Sequence, residues 1–405
     1  MECFVQWKTI CSMLASNTKK IYLDNASTTP IDSRVLEAML PYLSDYFGNA
    51  SSLHSFGTTV KESLDNFRSQ LAGFINAQSD EIIFTSGGTE ANNFALKGIA
   101  FANRSKGNHI IVSAIEHDCI LNTCKWLESQ GFYISYVPVD SDGLVDMEKL
   151  KRFINARTTL VSVMHANNEI GAIQPIEEIG RLCKERNVYF HTDACQSFGK
   201  IPVDVVSQNI SLMSLNAHKI YGPKGVGCLY VKKGVNITPL LHGGGQEFGL
   251  RSTTENIAGI AGFAKAAELC MNEMGTEIGR ITHLRNKLVE GLQNKFEDFY
   301  INGSMTHRLP NNLNFAVHGL EGETIRLLLL LDENGIAVSA GSACSNNDTS
   351  KSASHVLQAM GKDPFEARGA IRVSLGRFNT EDDIDHFLKT ILQEINKLSS
   401  IFSKT

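Results

Sequence analysis

No stretch of this chain of 405 residues is apolar enough to cross a bilayer. The longest aliphatic run, Leu327 to Leu331, falls well short of the ~20 residues a spanning helix needs, so no membrane partner is expected. A basic excess is also lacking. Lys and Arg number 38 against 43 Asp and Glu, a net charge of −5, which argues against a protein built to grip nucleic acid through a basic face. No C-x-x-C pair occurs among nine scattered cysteines, an odd count. Free thiols in a reducing compartment fit that pattern better than a disulfide framework or a zinc site. No metal is expected, and the expected location is cytoplasmic. Two phosphate fingerprints are missing as well. Gly222-Pro223-Lys224-Gly225-Val226-Gly227 lacks the G-K-[ST] ending of a P-loop, and no G-x-G-x-x-G opens a helix at the first strand–helix turn. Nucleoside triphosphate and dinucleotide readings therefore drop. There is no internal repeat, low-complexity tract or charge block. The first seventeen residues carry Glu2 before Lys8 and no clear cleavage site, so they read as an extension rather than a signal peptide.

What is present describes a globular enzyme-sized chain. Hydrophobic residues make up 42% and charged residues 20%, enough to bury a large core, and the length suggests two domains. Between residues 81 and 191 short β-branched runs alternate with helical periods. Strands are predicted at 81–85, 109–112, 132–137, 160–164 and 188–191, with helices at 90–104, 118–130, 146–154 and 176–186. Such alternation implies an α/β fold with a largely parallel sheet, whose ligands collect at the carboxyl ends of the strands. From 256 to 296 a long helical stretch, weakened around Gly275, leads into shorter strands (312–317, 336–339, 370–375) and a helix at 381–397. That part reads as a smaller α+β domain.

Polar clusters sit just past the predicted strands. Ser86-Gly87-Gly88-Thr89-Glu90 opens a helix, where free amides favour a phosphate or carboxylate, although a glycine turn capped by Thr89 is also an ordinary helix start. His191-Thr192-Asp193-Ala194-Cys195-Gln196 buries an aspartate that needs a partner: a neighbouring Arg, backbone amides, or a protonated cofactor ring. Ser214 to Pro223 carries Lys219 between apolar residues and a Gly-Pro turn, which suits a desolvated, reactive amine as well as a surface lysine. Ser339-Ala340-Gly341-Ser342-Ala343-Cys344-Ser345-Asn346-Asn347 surrounds one cysteine with small polar residues, the composition of an exposed loop with an accessible thiol.

These clusters, in order, resemble one family. The run Tyr22-Leu23-Asp24-Asn25-Ala26-Ser27-Thr28-Thr29-Pro30 is followed by Ser86 to Glu90, Glu116-His117, His165-Ala166-Asn167-Asn168-Glu169-Ile170-Gly171, Asp193 with Gln196, and His218-Lys219. His242-Gly243-Gly244-Gly245-Gln246-Glu247, Arg251-Ser252-Thr253-Thr254, Gly341-Ser342-Ala343-Cys344 and Ile371-Arg372-Val373-Ser374-Leu375-Gly376-Arg377 complete the set. The chain resembles the NifS/IscS-like cysteine desulfurases, pyridoxal 5'-phosphate (PLP) enzymes of the class V aminotransferase group with the fold type I architecture. The match runs from about residue 21 to near the C-terminus.

The resemblance implies a homodimer that converts L-cysteine to L-alanine and passes the sulfur, through a persulfide, to an acceptor protein. Iron–sulfur scaffold, tRNA-thiolation relay and DNA-phosphorothioation machinery are the candidate acceptors. It makes Lys219 the lysine that carries the cofactor, pairs Asp193 with the ring nitrogen, and sets Gln196 and Asn168 on the phenolate side with His117 on the ring face. Gly88, Thr89, Asn216 and His218 would hold the phosphate, helped by Thr254 of the partner subunit. Arg372 would take the substrate carboxylate, and Cys344 would collect the sulfur. Asn216 stands where the family usually has serine, so altered phosphate geometry is expected. The implied division is an extension at 1–20, a large PLP-binding domain at 21–255 whose first residues pack on the small domain, and a linking helix with a small domain at 256–405. The alternatives are a selenocysteine lyase or other class V enzyme of the same fold, and a non-catalytic scaffold, which would have no need of Lys219, Asp193, His117, Arg372 and Cys344 together.

Overall fold

The structure is a computed structural model in which residues 20–296, 298–340 and 353–402 are described. A short first strand, β1 (Ile21–Tyr22), leads into the helices Ser33–Ser44 and Ser55–Gly73. Then follow β2 (Ile82–Thr85), β3 (His109–Ser113), β4 (Tyr133–Val137), β5 (Thr158–Ser162), β6 (Tyr189–Asp193), β7 (Leu212–Asn216) and β8 (Gly227–Val231). These seven form one sheet in the order β2-β8-β7-β6-β5-β3-β4. Only β8 runs against its neighbours; the other pairings are parallel. Strands buried on both faces are rich in apolar residues, and alternate residues then serve different layers. Ile110 and Val112 pack with Phe94, Ile99 and Ile120 of the helices Gly88–Ala102 and Asp118–Ser129. Ile111 points the other way, toward Leu71, Ile179 and Phe263.

The alternation read from the sequence between 81 and 191 is present, with the fifth strand earlier than expected. It occupies Thr158–Ser162 rather than 160–164, because Thr158 and Thr159 are buried beside His109, whose ring bonds Thr158 Oγ1 at 2.8 Å. Ser214 to Asn216, read as following a strand, are themselves the end of β7.

The long helix runs unbroken over Ile257–Gln293, so the weakening expected at Gly275 does not occur. Its first part is buried against the large sheet through Ile260, Phe263 and Ala267, and its last part packs with a second core through Ile281, Leu284, Leu288 and Leu292. Anchored at both ends, the helix carries Gly275 and Gly279 where open space surrounds them, between the two packed parts. Beyond it lie β9 (Phe299–Ile301), β10 (Asn312–Val317), β11 (Ile336–Ala337), β12 (Ser339–Ala340) and β13 (Ile371–Ser374). They make a four-stranded antiparallel sheet, β12-β13-β10-β9, while β11 pairs in parallel with β1. Ile21 and Leu23 therefore belong to this second core rather than to the sheet that follows them in sequence.

Candidate active site

The carboxyl ends of the parallel strands share one edge of the large sheet, and the polar clusters meet there. Past β2 the chain turns at Gly87, whose φ of 152° disfavours a side chain, and the helix begins at Gly88. A Cβ on Gly88 would lie 2.6 Å from Cys195 Sγ and 3.4 Å from Asn216 Nδ2. The helix N-terminus is thus pressed against the ends of β6 and β7, where its free amides face the same space. Thr89, in this first turn, is exposed. Glu90 steadies the turn: its carboxylate accepts from Ser86 N at 2.8 Å and from Arg251 at 2.7 and 3.0 Å.

Asp193 closes β6 and is buried. Burial works to raise its carboxyl, but a donor on each oxygen opposes this: Cys195 N on Oδ1 at 2.9 Å and Asn92 Nδ2 on Oδ2 at 2.7 Å. With nearby Lys219 adding positive potential, the group is held below the usual carboxylate range and stays ionised. His117 caps the helix Asp118–Ser129, its Nδ1 accepting from Cys119 N at 3.2 Å. Burial, reinforced by Lys219, lowers the pKa of the imidazole and favours its neutral form.

Lys219 sits in a tight turn after β7. Ile220 N and Gly222 N both donate to Ala217 O, and Tyr221 adopts φ 67°. Thr29 pins this turn, donating from Oγ1 to His218 O at 2.9 Å and accepting from Tyr221 N at 2.8 Å. The His218 ring meets Thr28 Oγ1 at 3.2 Å, and burial with the nearby lysines pushes it down to about 4. It works as a neutral ring. Asn216 is buried, and its Oδ1 has no hydrogen-bond partner among the described residues.

Arg372 reaches the same edge from β13. Its Nη2 donates to Asp24 Oδ1 and Ser27 Oγ, both at 2.7 Å, and its Nη1 to Asn168 O at 2.9 Å. The two adjacent asparagines divide the work. Asn167 spends its side chain on Ile115 O and on the amides of Glu169 and Ile170, shaping the turn. The half-buried Asn168 side chain makes no hydrogen bond among the described residues. Gln196 Nε2 donates to Ala26 O at 2.9 Å.

The structure therefore brings Gly88, His117, Asp193, Gln196, Asn216, His218, Lys219, Asn168 and Arg372 to one edge. Thr254 lies apart, exposed in a pocket with Thr85, Ser86 and Arg251. Cys344 and its loop lie outside the described residues. Asn92 was not singled out from the sequence, although its place four residues beyond Gly88 sets it one helical turn along the same face. Glu116, noted only as the neighbour of His117, is also part of the cluster. It is fully buried, and burial pushes its carboxyl up to about 8, with Asp193 adding to the rise.

These groups fit pyridoxal phosphate. A buried aspartate held ionised suits a protonated ring nitrogen, an amine in a rigid turn suits an aldehyde, and free amides where no Cβ has room suit a phosphate. Among the described residues no cluster of His, Cys, Asp and Glu could hold a metal ion.

Comparison with known proteins agrees. The model of the class V aminotransferases matches residues 21–387. The chain is 51% identical over 375 residues to the cysteine desulfurase IscS of Clostridium botulinum, covering 92% of this chain and 94% of that protein. A solved NifS-like protein superposes with a TM-score of 0.87 at 40% identity, covering 93% of this chain and 100% of the other. A structure of SspA in complex with cysteine gives 0.78 at 37% identity, over 89% of this chain and 100% of the other. The chain belongs to the class V aminotransferases and, within them, to the IscS- and NifS-like cysteine desulfurases.

Proposed function

We propose that the protein is a PLP-dependent cysteine desulfurase in which Lys219, Asp193, His117, Arg372 and Cys344 divide the chemistry. The observation that carries this division is the convergence of an ionised buried aspartate, a neutral histidine, a lysine turn and an arginine fork on one strand edge. Lys219 would anchor the cofactor, Asp193 would pair with its ring nitrogen, and His117 would pack against the ring. Gln196 and Asn168 would donate to its phenolate oxygen. Gly88, Thr89, Asn216 and His218 would hold the phosphate together with Thr254 of the partner subunit. When bound, the cofactor supplies an electron sink for the electrons released at the substrate Cα.

L-Cysteine is the substrate, and the SspA neighbour was solved with it. Arg372 orients its carboxylate, a task suited to a planar two-pronged donor. The Lys219 amine would take the Cα proton, and neutral His117 is the other base within the cluster. The Cys344 thiolate bonds to the substrate sulfur while the carbon–sulfur bond breaks. Sulfur remains as a persulfide on Cys344, and the three-carbon fragment gains a proton to leave as alanine. The described thiols do not suit the nucleophile's role. Burial pushes Cys119 and Cys183 up to about 12 and Cys270 to about 11, and raises Cys124, Cys195 and Cys228 as well.

A homodimer is supported by a run of exposed apolar side chains on and after the helix Ser33–Ser44, including Leu40, Leu43, Phe47 and Leu53. The free described cysteines fit a reducing cytoplasm, and among the described residues no helix is long and apolar enough to cross a membrane. The sulfur goes on to an acceptor protein of iron–sulfur assembly, tRNA thiolation or DNA phosphorothioation. Purified protein should be yellow and should release alanine from L-cysteine. Borohydride should fix the cofactor on Lys219; a label on Lys224 or Lys232 would sink the assignment. Cys344→Ser should bind L-cysteine, visible as a spectral shift, yet form no persulfide.

A further inference from the structure

We infer that Lys200 is a positioning residue: it sets which end of the Gln196 amide faces the cofactor. The inference rests on the placement of Gln196 beside the phenolate oxygen. A glutamine amide has nearly the same shape either way round, with an acceptor at one end and two donors at the other. A phenolate oxygen needs a donor. Something must therefore hold Gln196 so that Nε2, not Oε1, points inward.

The structure contains such a clamp. Gln196 Nε2 spends one hydrogen on Ala26 O at 2.9 Å, leaving its second N–H available. On the other side Lys200 Nζ donates to Gln196 O at 3.0 Å and approaches Gln196 Oε1 at 3.4 Å. A flipped amide would set its NH2 against the Lys200 amine and its oxygen against Ala26 O, losing both contacts. The clamp is itself well held. The chain after Gln196 coils back through Ser197 N and Phe198 N, which both donate to Ala194 O, and turns at Gly199 with φ 73°. A Cβ on Gly199 would lie 2.9 Å from Ile220 Cγ2 and 3.2 Å from Cys270 Cβ, so this turn is pressed between the Lys219 turn and the long helix.

Lys200 and Lys219 line one cavity with Asn25, Tyr221, Cys270 and Glu273. A lysine placed there carries an electrostatic cost: burial and the Lys219 charge lower its amine to about 7. The protonated amine only donates, so below that value it distinguishes the amide oxygen from the NH2; the neutral amine also carries a lone pair and distinguishes them less well.

The test uses the full-length holoenzyme, stripped of PLP and titrated back with it, reading both affinity and the visible absorbance band. Lys200→Met keeps the length of the side chain and removes the donor. It should weaken PLP binding about tenfold, the size of one hydrogen bond, and move the band in the same direction as Gln196→Ala. The double variant should be no weaker than Gln196→Ala alone, because the clamp acts only through the amide. Wild-type affinity and band in Lys200→Met, or an effect that adds fully to that of Gln196→Ala, overturns the inference. If Gln196→Ala itself changes neither readout, the placement of Gln196 is what fails. Should Lys200→Met not fold, Lys200→Leu serves, which likewise removes the donor beside Gln196 Oε1. Wild-type PLP affinity and band in that variant would equally overturn the inference.

Discussion

Two strand ends at the same edge of the sheet, those of β6 and β3, each bury a carboxyl group, and the two groups behave in opposite ways. Asp193 at the end of β6 receives one donor on each oxygen and stands near His117 and Lys219. Glu116, three residues past β3, takes both its donors on Oε1, from Ser113 Oγ at 2.6 Å and Met164 N at 2.7 Å. Its Oε2 is buried without a partner among the described residues. Burial pushes both groups toward the neutral form. Asp193 is nonetheless held ionised, whereas Glu116 keeps its proton up to about 8. Depth does not set the sign; the distribution of donors and cations around the two oxygens does.

Removing the charge from the β6 end should break the contrast most severely. Asp193→Asn keeps the outline of the side chain but cannot stabilise a protonated ring, so alanine formation from L-cysteine should fall about a thousandfold. Retention of more than a tenth of the activity would show that the charge is dispensable. A subtler lesion is Asn92→Ala, which strips the donor from Oδ2 alone. With less opposition to burial the Asp193 pKa rises, so the acid limb of the pH–rate profile should move to higher pH while the rate at pH 8 falls about tenfold. An unmoved acid limb would mean that Cys195 N and the cations suffice.

The smallest effect is expected at the β3 end. A buried acid whose folded pKa lies above its unfolded value contributes stability that is full below the unfolded value and lost as pH rises through the folded one. For Glu116 that window runs from the ordinary carboxyl value of 4.5 to about 8. The thermal midpoint of the native protein should drop across it relative to that of Glu116→Gln, which keeps an acceptor and cannot ionise. Parallel curves for the two proteins would show that Glu116 is ionised when folded.

Much of this arrangement could be read from residue order. Strands buried on both faces are rich in apolar residues, so the run from 81 to 191 announced a parallel sheet, and the polar residues that ended each run marked the edge where chemistry collects. Asp193 and Lys219 were visible for that reason, and His117 through the resemblance of the ordered motifs. Asn92 was not, because a polar residue inside a helix carries no sign of which strand end it faces. Glu116 was visible as a letter but not as a protonated acid, since its state depends on Met164 N, donated by a chain segment 48 residues away. Lys200 read as one lysine among many until the turn at Gly199 folded it back on Gln196. The continuity of the long helix through Gly275 was hidden too, because it depends on two cores far apart in sequence.

The pairing of β1 with β11 has a consequence for the order of events on the ribosome. Ile21 N donates to Gly335 O, Leu23 N to Ala337 O, and Ser374 N to Leu23 O, so the earliest described strand waits for partners more than 300 residues downstream. At ~5–20 residues per second of synthesis, that delay is on the order of tens of seconds, during which β2 to β8 have time to assemble. Asp24 and Ser27, which hold Arg372, arrive only with this late closure. A nascent chain can therefore possess its finished sheet edge, Lys219 included, while Arg372, the residue proposed to take the substrate carboxylate, is not yet held, and that part of the site is complete only when these distant segments have met.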